Sequence, residues 1–173
     1  MKSSWLLPAI LALAFNAAAD MRFESAGLRL GVGHGHDDVA FVNYEAFGKA
    51  ALPWRWNWGS QWGLQTGLDL SAGVLQRNSE AGLIVQSGPC FTIGSRSFPV
   101  AFEFGSNLTL LSRHHFREKD LGCFVQFNSY AGLQARLGEH VGLGYRIEHM
   151  SNAGLGEPNA GLNLHVCALS YRF

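Results

Sequence analysis

The chain has 173 residues, with 13 Lys and Arg balanced by 13 Asp and Glu, so it lacks the basic excess that nucleic-acid binding needs. Its length suits one domain, and its 21 glycines and 12% aromatic content direct attention to strands and turns. Beyond the N-terminus, no apolar run reaches the roughly 20 residues of a membrane-spanning helix.

Residues Met1–Ala19 read as a secretory signal peptide. Lys2 supplies the positive start, Trp5–Phe15 a short apolar stretch that Pro8 interrupts, and Ala17-Ala18-Ala19 a small-residue cleavage site. The expected organisation is a signal peptide over 1–19 and one β-barrel domain over 20–173, with Asp20 as the first mature residue.

Candidate strands follow in chain order. Ser25–His34 and a long stretch within Val39–Trp58 alternate weakly. In Trp62–Val74 the alternation is clear, with Trp62, Leu64, Leu68 and Leu70 opposing Gly63, Gln65, Gly67 and Asp69. Period two puts such sets on opposite faces of a strand. Gly82–Ile93 is a weaker segment. In Pro99–Leu111, Val100, Phe102, Phe104, Leu108 and Leu110 oppose Glu103, Gly105, Asn107 and Thr109. Cys123–Leu137, Val141–Ser151 and Gly161–Phe173 behave similarly and bring the number of predicted strands to eight.

A β-sandwich or a lipocalin-like barrel would also alternate. Three features favour an eight-stranded antiparallel up-and-down transmembrane β-barrel. The strands run to about ten residues or more, enough to cross a bilayer at a tilt. Short turns at Gly59-Ser60, Gly94–Ser97 and Gly138-Glu139 alternate with mostly longer connections near His34–Val39, Gln76–Gly82, Leu111–Gly122 and Ser151–Gly161. The chain ends Leu169-Ser170-Tyr171-Arg172-Phe173, which resembles the C-terminal strand of outer-membrane barrels. Trp54, Trp56, Trp58 and Trp62 surround the first short turn, where an aromatic girdle is expected.

A barrel of eight strands is filled by side chains, so Asp69, Glu103, Arg136, Arg146 and Glu148 are expected to pair inside. Cys90, Cys123 and Cys167 are odd in number and widely spaced. They suit small apolar wall positions better than a zinc site, and spacing alone does not single out a Cys90–Cys123 bridge.

With eight strands both chain ends lie on the periplasmic side, so the seventh strand runs towards the cell surface and the eighth returns. By parity, Val141, Leu143, Tyr145 and Ile147 face lipid, and the same face continues to His149 and Ser151. On the eighth strand Phe173, Tyr171, Leu169 and Cys167 continue to His165 and Asn163. His149, Ser151, Asn163 and His165 should therefore cluster outside the barrel near its upper edge. Histidine beside serine suits acyl transfer: imidazole removes the hydroxyl proton while a third group orients the ring.

The run His149-Met150-Ser151-Asn152-Ala153-Gly154-Leu155, with Pro158-Asn159-Ala160-Gly161 after it, resembles the outer-membrane lipid A 3-O-deacylases. The similarity extends diffusely over the mature chain. It implies hydrolysis of the ester-linked 3-hydroxyacyl chain at position 3 of lipid A, without metal or organic cofactor. By the resemblance, Ser151 is the nucleophile, His149 the base, and Asn152 or backbone N–H groups near Gly154 the oxyanion donors. The family's third catalytic residue is a glutamate, and the matching position here is Asn163. Asparagine can orient imidazole but cannot offset its positive charge. Glu157 is a weaker candidate for the third role, and His165 for substrate contact. Arg113, His114, His115, Arg117 and Lys119 form a basic loop cluster suited to lipid phosphates.

The expected partners are lipid A or lipopolysaccharide and the outer membrane of a Gram-negative cell, with no nucleic acid. An outward-facing site leaves room for a lipid-facing homodimer. Two other readings remain open on the sequence: a non-catalytic small barrel that binds lipopolysaccharide, and an esterase or phospholipase acting on another lipid.

Overall fold

A computed structural model describes residues 21–34 and 40–173. The expected signal peptide, Asp20 and the 35–39 part of the first long connection lie outside the described residues.

The described residues form eight long strands: β1 (Arg22–His34), β2 (Ala40–Trp58), β3 (Trp62–Arg77), β4 (Glu80–Ser95), β5 (Val100–Leu111), β6 (Val125–Leu137), β7 (Val141–Ser151) and β8 (Leu162–Arg172). Each pairs antiparallel with its sequence neighbours, and β1 pairs β8 to close the barrel. Closure leaves no unpaired sheet edge, which a spanning sheet requires.

Alternation sets the two faces. Leu143, Tyr145 and Ile147 are exposed on the outer wall of β7, while Arg146 and Glu148 between them are buried in the lumen. The four tryptophans of the first hairpin are exposed around its turn, with Trp58 opposite Trp62. At this turn end of the barrel Gly138 has a φ of 72°, a left-handed conformation that favours glycine. At the opposite, loop end, the connection expected at Gln76–Gly82 is tighter than the sequence suggested. β3 and β4 pair up to Arg77 and Glu80, so Asn78 and Ser79 alone make the turn. Polar residues hid these strand ends, because they continue the ladder beyond the apolar band.

The lumen holds an ionic network. Asp69 accepts from Arg29 at 2.7 Å and from Arg146 at 3.0 Å, Arg146 bonds Glu148 at 2.5 Å, and Lys49 pairs with Glu103. Arg136 departs from expectation. Its Nη2 donates to the carbonyls of Ser95 and Phe98, so it fastens the turn end instead of joining the central network. The loop end is plugged by apolar side chains. Phe116, from the β5–β6 loop, is fully buried and meets Phe41 edge-on at 5.5 Å, beside Leu75, Ile84 and Met150. A short ladder, His115–Phe116 with Lys119–Asp120, shapes that loop. Cys90 is buried, Cys123 partly buried and Cys167 exposed; all three are free thiols.

Candidate active site on the outer wall

β7 and β8 carry the site. Their register sets His149 directly opposite Asn163. Both are exposed on the outer face, as parity predicted. His149 Nδ1 lies 2.7 Å from Asn163 Oδ1. An amide oxygen only accepts, so the imidazole donates from Nδ1, and Nε2 is left as the basic nitrogen.

Ser151 stands two residues beyond His149 on the same face and is partly exposed. The two side chains are not hydrogen-bonded to each other; unliganded sites often hold such groups apart until substrate arrives. Gly161 leaves room for the ring. By continuation of the β7–β8 register, Gly161 lies opposite Ser151. A Cβ at Gly161 would come 3.1 Å from His149 Cε1 and 3.7 Å from Nε2. The imidazole therefore occupies the space that a side chain at 161 would fill. The sequence shows Gly161 only as part of a turn motif; its steric role needs the register.

Asn152 is fully buried behind the wall. Its Nδ2 lies 3.0 Å from Leu121 O, 2.9 Å from Gly156 O and 3.2 Å from Pro158 O, while its Oδ1 accepts from Gly154 N–H at 2.8 Å. Asn159 Oδ1 in turn accepts from Asn152 N–H at 3.2 Å. Asn152 and Gly154, both candidate oxyanion donors, thus serve the loop in this arrangement. They brace the segment after Ser151 against Leu121 of the lumen plug. Ala153 takes a positive φ of 51° inside this brace, a conformation that non-glycine residues rarely adopt.

The remaining candidates separate. His165 Nδ1 bonds Tyr145 Oη at 2.7 Å, a wall contact below the site. Glu157 is exposed in the β7–β8 loop, and among the described residues no hydrogen bond or ion pair joins it to His149. In the basic cluster, Arg113 pairs with Glu80 at 2.8 Å, and His114 and His115 face Asp120 at 2.9 and 3.5 Å. Arg117 and Lys119 are its cations without an ion pair among the described residues. The Gly122 N–H and the His114 imidazole hold the Asp120 carboxyl down at about 2. Among the described residues no group of three His, Cys, Asp or Glu side chains is placed to hold a metal.

Known proteins match the chain and its fold. Residues 45–172 fit the family described as lipid A 3-O-deacylase (PagL). Lipid A deacylase PagL of Bordetella bronchiseptica is 30% identical over 165 residues, covering 91% of this chain and 89% of that protein. The crystal structure of the outer membrane enzyme PagL superposes with a TM-score of 0.70 at 19% identity, over 83% of this chain and 97% of that one. Neisserial surface protein A shares the barrel at a TM-score of 0.53 and 10% identity, over 88% of this chain and 99% of its own. The long motif from His149, the closed eight-stranded barrel and the profile match over most of the chain agree: this protein belongs to the outer-membrane lipid A 3-O-deacylase family.

Proposed function

We propose that the protein is an outer-membrane lipid A 3-O-deacylase whose hydrolytic centre is Ser151, His149 and Asn163 on the lipid-facing wall. The observation that carries this reading is the His149–Asn163 hydrogen bond at 2.7 Å on the outer face. It fixes the tautomer that leaves Nε2 free to take the proton of Ser151. Ser151 Oγ attacks the carbonyl carbon of the ester at position 3, and His149 receives its proton. Collapse of the tetrahedral intermediate breaks the ester bond, and His149 returns the proton to the departing sugar oxygen. Water, deprotonated by the same imidazole, then releases the 3-hydroxy fatty acid and restores Ser151.

Asparagine in the third position orients imidazole without placing a carboxylate against lipid, where an unpaired charge is costly. It forgoes the charge that would stabilise imidazolium. The oxyanion role falls to the backbone: the Asn152 and Gly154 amides are engaged in the loop, and we assign it to the Ala153 N–H. Arg117 and Lys119 are assigned to lipid phosphate, and residues 1–19 to export.

Covalent labelling tests the centre. The protein, folded in lipid A-containing detergent micelles, is treated with a lipophilic phosphonate ester and digested for mass spectrometry. The adduct is expected on Ser151, lost in Ser151→Ala and strongly reduced in His149→Ala. An adduct on another serine that persists in Ser151→Ala would overturn the assignment of the nucleophile.

A further inference from the structure

The polar groups on the outer wall extend beyond the catalytic pair. Across the β6–β7 ladder from His149 stands Ser129, and across the β5–β6 ladder from Ser129 stands Ser106. Both serines are exposed on the lipid face, with their hydroxyls 3.3 Å apart. Asn163, His149, Ser129 and Ser106 thus form one cross-strand row over four neighbouring strands. Large apolar side chains bound it on both sides. Leu108 and Phe127 are exposed next to it towards the loop end; towards the turn end Ile147 is exposed next to it, and Ala131 stands between Ser129 and Leu133. Small side chains between large ones leave a shallow trough.

The row also runs downwards. By continuation of the β4–β5 register Ser106 faces Pro89, which lies opposite Leu68 on β3; Leu68 faces Ala50 on β2, and Ala50 faces Phe23 at the start of β1. A line that starts beside the β7–β8 loop therefore reaches the turn end after circling the barrel. This follows from strand tilt. Starting from His149, Ser129 and Ser106 lie progressively deeper along the wall.

Two polar deficits meet on this row. Two hydroxyls carry two donors, and their mutual bond uses one, so one O–H remains without an acceptor on a surface covered by hydrocarbon. Pro89 also has no N–H to donate, and the β4–β5 ladder is interrupted between Ser87/Leu108 and Cys90/Gly105, next to Ser106. Unsatisfied polar groups facing lipid are costly, so a pair of hydroxyls there suits a ligand that brings its own polar group into the acyl region.

We infer that Ser129 and Ser106 form a subsite for the 3-hydroxyl of the acyl chain being removed. The inference rests on the Ser151–His149 centre proposed above. A 3-hydroxyacyl ester carries its hydroxyl two carbons beyond the carbonyl, the first polar atom of the chain on its way into the membrane. With the carbonyl at Ser151 and His149, the chain leaves along the trough, and the hydroxyl meets Ser129 first. It donates to one serine oxygen and accepts the free serine proton. The subsite thereby distinguishes hydroxylated chains from plain ones of equal length.

The test compares two synthetic lipid A disaccharides that differ only at position 3, one bearing 3-hydroxytetradecanoate and the other tetradecanoate. Both are offered in mixed micelles to the wild type, Ser129→Ala, the Ser106→Ala/Ser129→Ala double variant and Ser151→Ala. The wild type should prefer the hydroxylated ester by about tenfold in kcat/KM, the worth of one hydrogen bond of ordinary strength. The double variant should lose this preference through slower cleavage of the hydroxylated ester alone, with the plain ester unaffected. A misfolded barrel would slow both. Cleavage that Ser151→Ala abolishes, but with a preference unchanged in the double variant or absent from the wild type, overturns the subsite and leaves the centre standing. Cleavage that survives in Ser151→Ala, or none by the wild type, overturns the centre and the subsite with it.

Discussion

In the proposed centre, Asn163 is the residue on which the chemistry turns. It accepts from His149 at 2.7 Å and carries no charge. Asn163→Glu places a carboxylate at the same acceptor position and adds compensation for imidazolium, so deacylation should be equal or faster. Asn163→Ala removes the acceptor and frees the ring to rotate, with an expected loss of about 10²-fold in kcat. Initial-rate assays on lipid A in micelles distinguish these outcomes, and a large loss with glutamate would contradict the orienting role. Gly161 sets a second condition. A Cβ there would sit 3.1 Å from His149 Cε1. Gly161→Ala should shift the imidazole by a few tenths of an ångström and lower kcat while leaving KM and the barrel's strand content unchanged. A fall in KM-linked affinity alone would place the role of this glycine elsewhere.

At the scale of elements, two strands present the groups of the proposed centre, and two loops pack behind them. Asn152 links the β7–β8 loop to Leu121, and Leu121 belongs to the plug formed with Phe116 of the β5–β6 loop. The second loop is cinched by Asp120, which accepts from Gly122 N–H at 2.8 Å and contacts His114. Its carboxyl is held at about 2, below the ordinary 3.8. A carboxylate with a depressed pKa stabilises the structure above its unfolded value and loses that contribution as pH falls through its folded one. Protection of the Gly122 amide from hydrogen exchange should therefore persist at pH 4 and fall as the pH passes about 2. Loss of protection already near pH 4 would show that Asp120 does not hold the loop.

These elements also show what the sequence made legible. Val141–Ser151 is bounded in the structure as its alternation predicts, because apolar residues mark every second position up to His149. Parity alone placed His149, Ser151, Asn163 and His165 outside, since a strand of fixed period two leaves no other choice. The brace around Asn152 was not legible, because its partners Leu121, Gly156 and Pro158 are carbonyls that any residue supplies. The same is true of Ser129. It is 20 positions from His149 in sequence, and only the β6–β7 register sets them opposite one another.

On the scale of the whole molecule, the barrel separates two polar systems by one layer of backbone. Inside, Asp69 is shared by Arg29 and Arg146. Outside, His149 and its neighbours meet lipid. The inner network ties β1, β3 and β7 together across the lumen, and the β7–β8 ladder holds His149 and Asn163 in register. Removing one partner of a buried ionic network leaves the others uncompensated, at a cost of about 3–5 kcal/mol. Asp69→Ala should accordingly lower the urea midpoint of the barrel in vesicles, followed by tryptophan fluorescence, while the His149–Asn163 pair remains able to act in whatever fraction stays folded. An unchanged midpoint would mean that the lumen network is dispensable for stability. The sequence identified four members of this network as inward charges, but it misplaced Arg136. That side chain is long enough to leave the lumen for the carbonyls at the turn end.

The most direct measurement is mass spectrometry of lipid A from Gram-negative cells expressing the protein, beside cells expressing Ser151→Ala at equal levels in the outer membrane. The wild type should remove the mass of one 3-hydroxyacyl chain, and Ser151→Ala should leave lipid A intact. The same loss from both would contradict the assignment of Ser151, and intact lipid A from both would contradict the deacylase itself.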